Sequence, residues 1–374
     1  MEKTLTYGMV GGGEGAFIGD VHRRAIALEG GARLVAGCFS RNPAITRSRG
    51  LSLGLDEERL YETPAAMAGG EAARKDRIDF VVVVTPNASH HAIAAAFLDA
   101  GIPVVCDKPL VTNSRDAADL VRRVAAKKLP FCVTYTYSGY PMVKEARALL
   151  RSGELGSVRF VNAEYAQEWL TLPLEREGNR QASWRTDPSQ AGAGSTGDIG
   201  THVEHLVSYV TGLEMRSLSA RLDTFVEGRA VDDNATVLVE YAGGAKGLYW
   251  FSQVAVGSAN GLKLRVLCEK GSLAWEQENP NVLQVARLGQ PVQLLSRGRD
   301  SLSAEALGFS RIPGGHPEGY YEAFANIYRA FLAHLRDPSE PTPDYPGIAE
   351  GARGVRFVER CLESSAGGGL RLDF

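Results

Sequence analysis

A lysine follows a short β-branched run in Val104-Val105-Cys106-Asp107-Lys108-Pro109. Such a run reads as a buried strand, so Lys108 is expected just past the strand's carboxyl end. An aspartate and a histidine stand four residues apart in Asp198-Ile199-Gly200-Thr201-His202. On a helix that spacing places both on one face. Imidazole titrates near neutrality and suits proton transfer, which makes His202 a general-base candidate. An ammonium beside the same oxygen stabilises developing negative charge, and Lys108 serves as the base instead if burial or a neighbouring cation lowers its pKa. Asp198 then orients the imidazole or binds a substrate hydroxyl. The plainer alternatives are a helix N-cap for Asp198, a satisfied core residue for His202 and a surface cation for Lys108. Working together, these groups would take the hydroxyl proton of a secondary alcohol while its hydride leaves to make a carbonyl.

A hydride needs an acceptor. The stretch Gly11-Gly12-Gly13-Glu14-Gly15-Ala16-Phe17-Ile18-Gly19 follows one apolar strand-like run and opens a helical pattern. Small residues there let the backbone approach a pyrophosphate, and N–H groups of the first turn, at Phe17 and Ile18, point at it. The spacing departs from G-x-G-x-x-G. With Gly11 and Gly13 as the first two glycines, Gly15 comes early and Gly19 comes three residues late. Gly19, after a three-residue insertion, is the preferred third glycine. The next strand ends Cys38-Phe39-Ser40-Arg41-Asn42, without the carboxylate that usually holds the ribose 2′-hydroxyl of NAD. Ser40 can bond a 2′-phosphate, and Arg41 can stack on adenine or pair with that phosphate. NADP is therefore expected over NAD. Thr85-Pro86-Asn87-Ala88-Ser89-His90 ends a third strand in the same region.

The elements that must position these residues follow from periodicity. Residues 5–10, 33–39, 80–85, 103–106 and 131–135 read as strands, and 17–28, 88–100 and 114–127 as helices between them. Buried β-branched runs separated by helices predict a doubly wound parallel sheet, a Rossmann domain over residues 1–140. The pattern then changes. A helix over 143–152 is followed by strands over 158–165, 217–226, 235–241, 245–254, 263–269 and 271–275, with a Gly243-Gly244 hairpin signal. Helices are expected over 196–210 and 318–335. Residues 141–374 are thus expected to form an α+β domain with a large open, mainly antiparallel sheet, the whole being α/β in class. Residues 172–194 read as a long surface loop of functional kind.

Composition sets the bounds. The chain has 374 residues, enough for two domains, and a formal net charge of -3 with no basic run, which argues against nucleic acid and anionic membranes as partners. Five cysteines lack metal-like or redox spacing and read as reduced, mostly buried thiols. With no leader-like segment and no membrane-length apolar run, a cytoplasmic location is expected.

The motifs Thr85-Pro86-Asn87-Ala88-Ser89-His90, Asp107-Lys108-Pro109 and Asp198-Ile199-Gly200-Thr201-His202, in this order, resemble those of the Gfo/Idh/MocA family (glucose–fructose oxidoreductase, inositol dehydrogenase and rhizopine catabolism proteins). The resemblance runs over essentially the whole chain. It implies an NAD(P)-dependent dehydrogenase or reductase acting on a CH–OH group of a sugar or polyol. It also implies that Lys108 and His202 are the catalytic pair, that Asp198 supports them, and that Thr85, Pro86, Asn87, His90, Asp107 and Lys108 border the cofactor. Tyr137, beside Tyr135 and Tyr140, falls where the family borders its substrate. Some inositol dehydrogenases carry a basic residue there; its absence argues against inositol. Trp184 and Arg185 supply a stacking ring and a donor, and His316 precedes the last predicted helix; all three are substrate-site candidates, together with Lys108, Asp198 and His202. His205, one turn beyond His202, raises a metal site as an alternative, but no metal is expected. Two other functions stand beside the dehydrogenase: a glycosidase with a resident nicotinamide, and a non-catalytic nucleotide-binding scaffold. An open sheet offers a surface to a second copy, so a homodimer or homotetramer is expected.

Overall fold

The fold is described from a computed structural model covering residues 3–339 and 343–374. The chain divides into two compact units, Met1–Thr136 with Tyr320–Ala352, and Tyr137–Gly319 with Arg353–Phe374.

The first unit is built on five parallel strands, β1 (Leu5–Gly11), β2 (Ala32–Cys38), β3 (Phe80–Val84), β4 (Val104–Cys106) and β5 (Phe131–Val133), in the order β2-β1-β3-β4-β5. Every residue of the β3 run Phe-Val-Val-Val-Val is buried, as a central strand covered on both faces requires. The chain steps from β1 to β2 and then back across β1 to β3. The topology therefore reverses between β1 and β3, and ligands bind such sheets outside the carboxyl ends at that point. Helices α1 (Phe17–Glu29), α2 (Pro43–Ser52), α3 (Pro64–Ala73), α4 (His90–Asp99) and α5 (Ser114–Lys127) join the strands. Helices α2 and α3 were not expected. Each opens on a capping side chain followed by proline: Asn42 accepts from the Ala44 N–H, and Thr63 from the Ala66 N–H.

The second unit has nine strands. They are β6 (Val158–Ala166), β7 (Met215–Asp223), β8 (Asn234–Tyr241), β9 (Lys246–Ser252), β10 (Gly261–Cys268), β11 (Gly271–Glu276), β12 (Val282–Arg287), β13 (Gln293–Ser296) and β14 (Leu372–Asp373). The order is β13-β12-β11-β10-β6-β9-β8-β7-β14, antiparallel throughout except β6 beside β9. In β8 the residues Ala235, Val237, Val239 and Tyr241 are buried, whereas Thr236 and Leu238 face out. One face therefore meets α6 (Pro141–Arg151) and α9 (Thr201–Thr211), and the other is open. Gly243 and Gly244 both take positive φ and close the predicted β8–β9 hairpin. The segment 172–194 is less irregular than expected. It carries α7 (Arg180–Arg185), capped by Asn179, and α8 (Pro188–Ala191), capped by Asp187. The helix expected over 196–210 opens with a π-helical turn, Thr196–Gly200, before α9 begins. A short α10 (Ala304–Gly308) follows the sheet.

The chain then returns to the first unit in α11 (Tyr320–Arg336) and the start of α12 (Ile348–Ala366). A single cut near residue 140 thus does not describe the division. The reason is the apolar face of α11: Phe324, Tyr328 and Phe331 are buried in the core cluster of the parallel sheet, with Phe80 and Val82. The ring of Phe331 meets Phe80 edge-on at 5.4 Å, and the Tyr328 hydroxyl lies 2.5 Å from His22 Nδ1 on α1. Burying one such aromatic side chain contributes roughly 1.5–3 kcal/mol, so this helix is integral to the first unit.

Candidate active site

In the first unit the predicted cofactor residues gather at the carboxyl ends of β1 to β4. Gly11 ends β1 with φ 88°, and a Cβ there would lie 2.5 Å from the Val84 carbonyl oxygen of β3. A Cβ on Gly13 would lie 2.9 Å from the Phe39 carbonyl oxygen. Gly19 packs its Cα against Gly12, where an added Cβ would sit 2.4 Å from the Gly12 Cα. The helix-to-loop contact that a third glycine serves therefore falls on Gly19, and its partner Gly12 was not singled out in the sequence. No side chain caps the start of α1 at Ala16, Phe17 is exposed, and Ile18 is half-buried. The loop thus combines backbone without side-chain cover and a helix start whose N–H groups face no capping side chain. That combination fits a pyrophosphate.

At the end of β2, Ser40 is half-buried and Arg41 exposed. The Thr46 hydroxyl accepts from the Ser40 N–H at 3.0 Å and donates to the Ser40 carbonyl at 3.1 Å, which folds this turn onto the start of α2. Ser40 Oγ accepts from the Asn42 N–H at 3.1 Å, leaving its own proton for a further acceptor.

At the end of β3, Thr85 and Pro86 reach the surface while Asn87 is buried. His90 is fully buried, its Nδ1 lies 3.0 Å from the Pro109 carbonyl oxygen, and its Nε2 lies 2.8 Å from that of Thr85. It offers no surface to a ligand. Its place is a clamp between the β3 and β4 strand-end turns, which corrects its reading as a cofactor contact. Asp107 accepts from the Thr134 hydroxyl at 2.8 Å and from the Lys108 N–H at 2.9 Å, fixing the backbone at Lys108. Lys108 is half-buried, just beyond β4, where it was expected.

The second unit carries the remaining residues. His202, in the first turn of α9, is 8 % exposed, and its ring meets that of Tyr137 edge-on at 4.8 Å. Tyr137 and Tyr165 share a hydrogen bond between hydroxyls, and Tyr165 donates onward to Asn260 Oδ1 at 2.8 Å. Burial pushes the Tyr137 hydroxyl pKa up, so the phenol stays protonated. Asp198 lies in the π turn, with Oδ2 2.8 Å from Gln253 Nε2 and 3.4 Å from Arg185 Nε. The Arg185 guanidinium stacks over the Trp184 ring at 4.3 Å and lies 5.9 Å from Trp169. Asp198, Trp184 and Arg185 are thus one cluster, with Trp169 as a member that the sequence did not mark. His316 is not part of it. That side chain is exposed on a turn whose backbone is held by the buried Arg297 and Glu318. Burial drives the His205 pKa well down, and its ring stacks on Tyr209 in the interior. Among the described residues no group of His, Cys, Asp or Glu is placed to hold a metal, and no helix is long and apolar enough to cross a membrane.

These strand ends and this mixed sheet have known counterparts. Residues 5–135 match the family model described as "Oxidoreductase family, NAD-binding Rossmann fold", and residues 143–274 match the "GFO/IDH/MocA C-terminal domain". The chain belongs to the Gfo/Idh/MocA family of oxidoreductases. It is 33% identical over 384 aligned residues to the uncharacterized oxidoreductase YfiI of Bacillus subtilis, covering 100% of this chain and 98% of the relative. A crystal structure of an inositol dehydrogenase homolog from Azotobacter vinelandii, complexed with NADH and myo-inositol, aligns with TM-score 0.93 and 38% identity, covering 100% of this chain and 98% of that one. The levoglucosan dehydrogenase of Pseudarthrobacter phenanthrenivorans is 27% identical over 315 residues, 76% of each chain.

Proposed function

We propose that this protein is a nicotinamide-dependent dehydrogenase or reductase that interconverts a secondary alcohol and a ketone on a sugar, polyol or sugar derivative. The observation that carries the reading is the row of strand ends in the first unit: a glycine-lined loop after β1, an uncapped start of α1, and Lys108 just beyond β4. Similarity to proteins named for inositol and levoglucosan supports the substrate class and brings inositol back among the candidates.

In this reading Gly11, Gly12, Gly13 and the first turn of α1 hold the pyrophosphate, and Gly19 keeps α1 close to the loop. When bound, the nicotinamide supplies a two-electron hydride acceptor or donor. Lys108 stabilises negative charge on the alcohol oxygen with its ammonium group. His202 takes the hydroxyl proton as general base in oxidation and returns it in reduction. Asp198 favours the charged imidazolium and, with Arg185 and Trp184, holds neighbouring hydroxyls and the ring face of the substrate. Tyr137 lines the same side as His202.

We infer a preference for NADP(H). No carboxylate follows β2, Ser40 keeps a proton to donate, and the start of α2 favours an anion. Use of NAD(H) is a second reading, favoured by the cofactor bound to the Azotobacter homologue. The test is a panel of myo-inositol, levoglucosan, aldoses, ketoses and alditols with each cofactor, followed by the near-ultraviolet absorbance of the reduced nicotinamide. Turnover of at least one member with a higher kcat/KM for NADP is expected. No turnover across the panel would overturn the activity, and a clear preference for NAD would overturn the NADP assignment alone.

A further inference from the structure

We propose that Asp232 and Gln253, at adjoining ends of β8 and β9, are the positioning residues that set Asp198 in place for the reaction; the proposal rests on the functional reading above. Asp232 is all but buried and its carboxylate gathers four donors. Oδ1 accepts from the Gly194 N–H at 2.9 Å. Oδ2 accepts from the Ser195 hydroxyl at 2.7 Å, the Thr196 N–H at 2.7 Å and the Thr196 hydroxyl at 2.8 Å. The Asp232 carbonyl accepts from the Ser195 N–H at 2.9 Å as well. Three consecutive residues are thereby tied to one aspartate. A carboxyl group presents two acceptor oxygens to such a set, whereas an amide in its place would present one. The approach is also sterically specified, since a Cβ on Gly194 would lie 1.8 Å from the Asp232 carbonyl oxygen.

The tied segment runs directly into the π turn Thr196–Gly200, where the Asp198 N–H donates back to Gly194 at 2.9 Å. Asp198 is the second residue after the last one that Asp232 holds. Gln253 holds the other end of the same geometry. Its side chain is buried, and Nε2 donates to Asp198 Oδ2 at 2.8 Å. Its backbone N–H donates to the Asp233 carbonyl at 2.8 Å, extending by one step the β8–β9 ladder that pairs Asn234 with Ser252. Asp232 and Gln253 therefore belong to one rigid strand-end platform, the first fixing the start of the turn and the second its carboxylate. Arg185 also reaches Asp198, but from a helix of six residues and with a quarter of its side chain exposed. A π turn interrupts the regular hydrogen bonding of a helix, so its geometry depends on outside partners of this kind.

The experiment is a pair of double-mutant cycles. Asp232→Asn and Gln253→Met are each made in the wild-type chain and in Asp198→Asn, and kcat, KM and cofactor affinity are measured on the panel substrate with the fastest turnover. Misplacing a reacting group by a fraction of a bond length to about 1 Å lowers rates by about 10–10²-fold. A loss of that size in kcat is expected for each variant, with cofactor affinity (titrated by NADH and NADPH fluorescence) unchanged. In the Asp198→Asn background the same changes should have little further effect, because the carboxylate they act through is gone. A merely structural role would give the same fold loss in both backgrounds, and that result would overturn the proposal. So would a kcat within about threefold of wild type for both variants. If near-ultraviolet circular dichroism shows Asp232→Asn unfolded, the double variant Ser195→Ala/Thr196→Val, which removes only the two hydroxyl donors, takes its place. An impaired Asp198→Asn with an unimpaired Gln253→Met sinks the positioning proposal alone. A fully active Asp198→Asn sinks the functional reading of Asp198, and this proposal with it.

Discussion

Lys108 is placed by what surrounds its backbone. Asp107 holds its N–H, and His90 ties the neighbouring Pro109 carbonyl to the end of β3. Truncation to alanine leaves these backbone contacts intact and removes the side chain that carries the charge. Lys108→Ala is expected to lower kcat by about 10²–10³-fold while fluorescence titration still shows cofactor binding. A variant with wild-type kcat would take charge stabilisation away from this lysine. For His202, the kcat/KM profile of alcohol oxidation should rise with pH through a group titrating near neutrality, and His202→Ala should lack that limb. A limb that survives the substitution would move proton transfer to Lys108. The places of Lys108 beyond β4, of Asp198 in the π turn and of His202 at the start of α9 were legible because strand and helix signals stood beside them. Asp232 and Gln253 were not, because what sets them apart is hydrogen bonds made across 36 to 55 residues of chain. His90 stood in a readable motif, yet its role as a buried clamp could be seen only once both ring nitrogens had partners.

Among the elements, α1 and the loop after β1 are in close backbone contact. Gly19 and Gly12 meet Cα to Cα, with no room for a methyl group. Gly19→Ala must push α1 from the loop, and overpacking of this kind costs about 1–3 kcal/mol. The expected outcome is a lower Tm and weaker cofactor binding together. Unchanged affinity for both NAD(H) and NADP(H) would show that the α1 contact does not shape the cofactor site. The elements with strong alternation or β-branched runs, β1 to β5 and β6 to β11, were readable from the sequence. Helix α3 was not, since its residues Pro-Ala-Ala-Met-Ala-Gly-Gly-Glu-Ala-Ala show little contrast between faces. Helix α12 carries Gly351 and Gly354 inside it, which weakened its signal. Gly351 is there because a Cβ would come within 2.8 Å of Val133 and 3.0 Å of Leu110. The π turn cannot be read from spacing at all, because it differs from an α-turn only in its hydrogen-bond register.

At the scale of the molecule, each unit buries a histidine in neutral form. Burial lowers the His22 pKa to about 4 in the first unit and drives that of His205 well below its usual value in the second. In the unfolded chain both titrate near 6.5. Above that pH neither state binds these protons and stability is unaffected. As pH falls below it, the unfolded chain takes up protons that the folded chain refuses. Stability is therefore lost between about pH 6.5 and the folded pKa, by at most about 1.4 kcal/mol per pH unit for each histidine. Tm should fall from pH 7 to pH 5, and less steeply in His22→Gln; equal slopes would remove His22 from the account. The division into a parallel and a mixed sheet was legible from the change of pattern near residue 140. The return of α11 to the first unit was not, because an amphipathic helix does not state which sheet its apolar face will meet. The proposed reaction is a net hydride transfer between substrate and nicotinamide. The decisive measurement uses carbon-deuterated myo-inositol, levoglucosan or another turned-over member of the panel and reads the recovered cofactor and product by mass spectrometry. One deuterium on each reduced cofactor and one ketone formed per cofactor reduced are expected. Product formed with the cofactor unchanged and unlabelled, as a glycosidase with a resident nicotinamide would give, would contradict it.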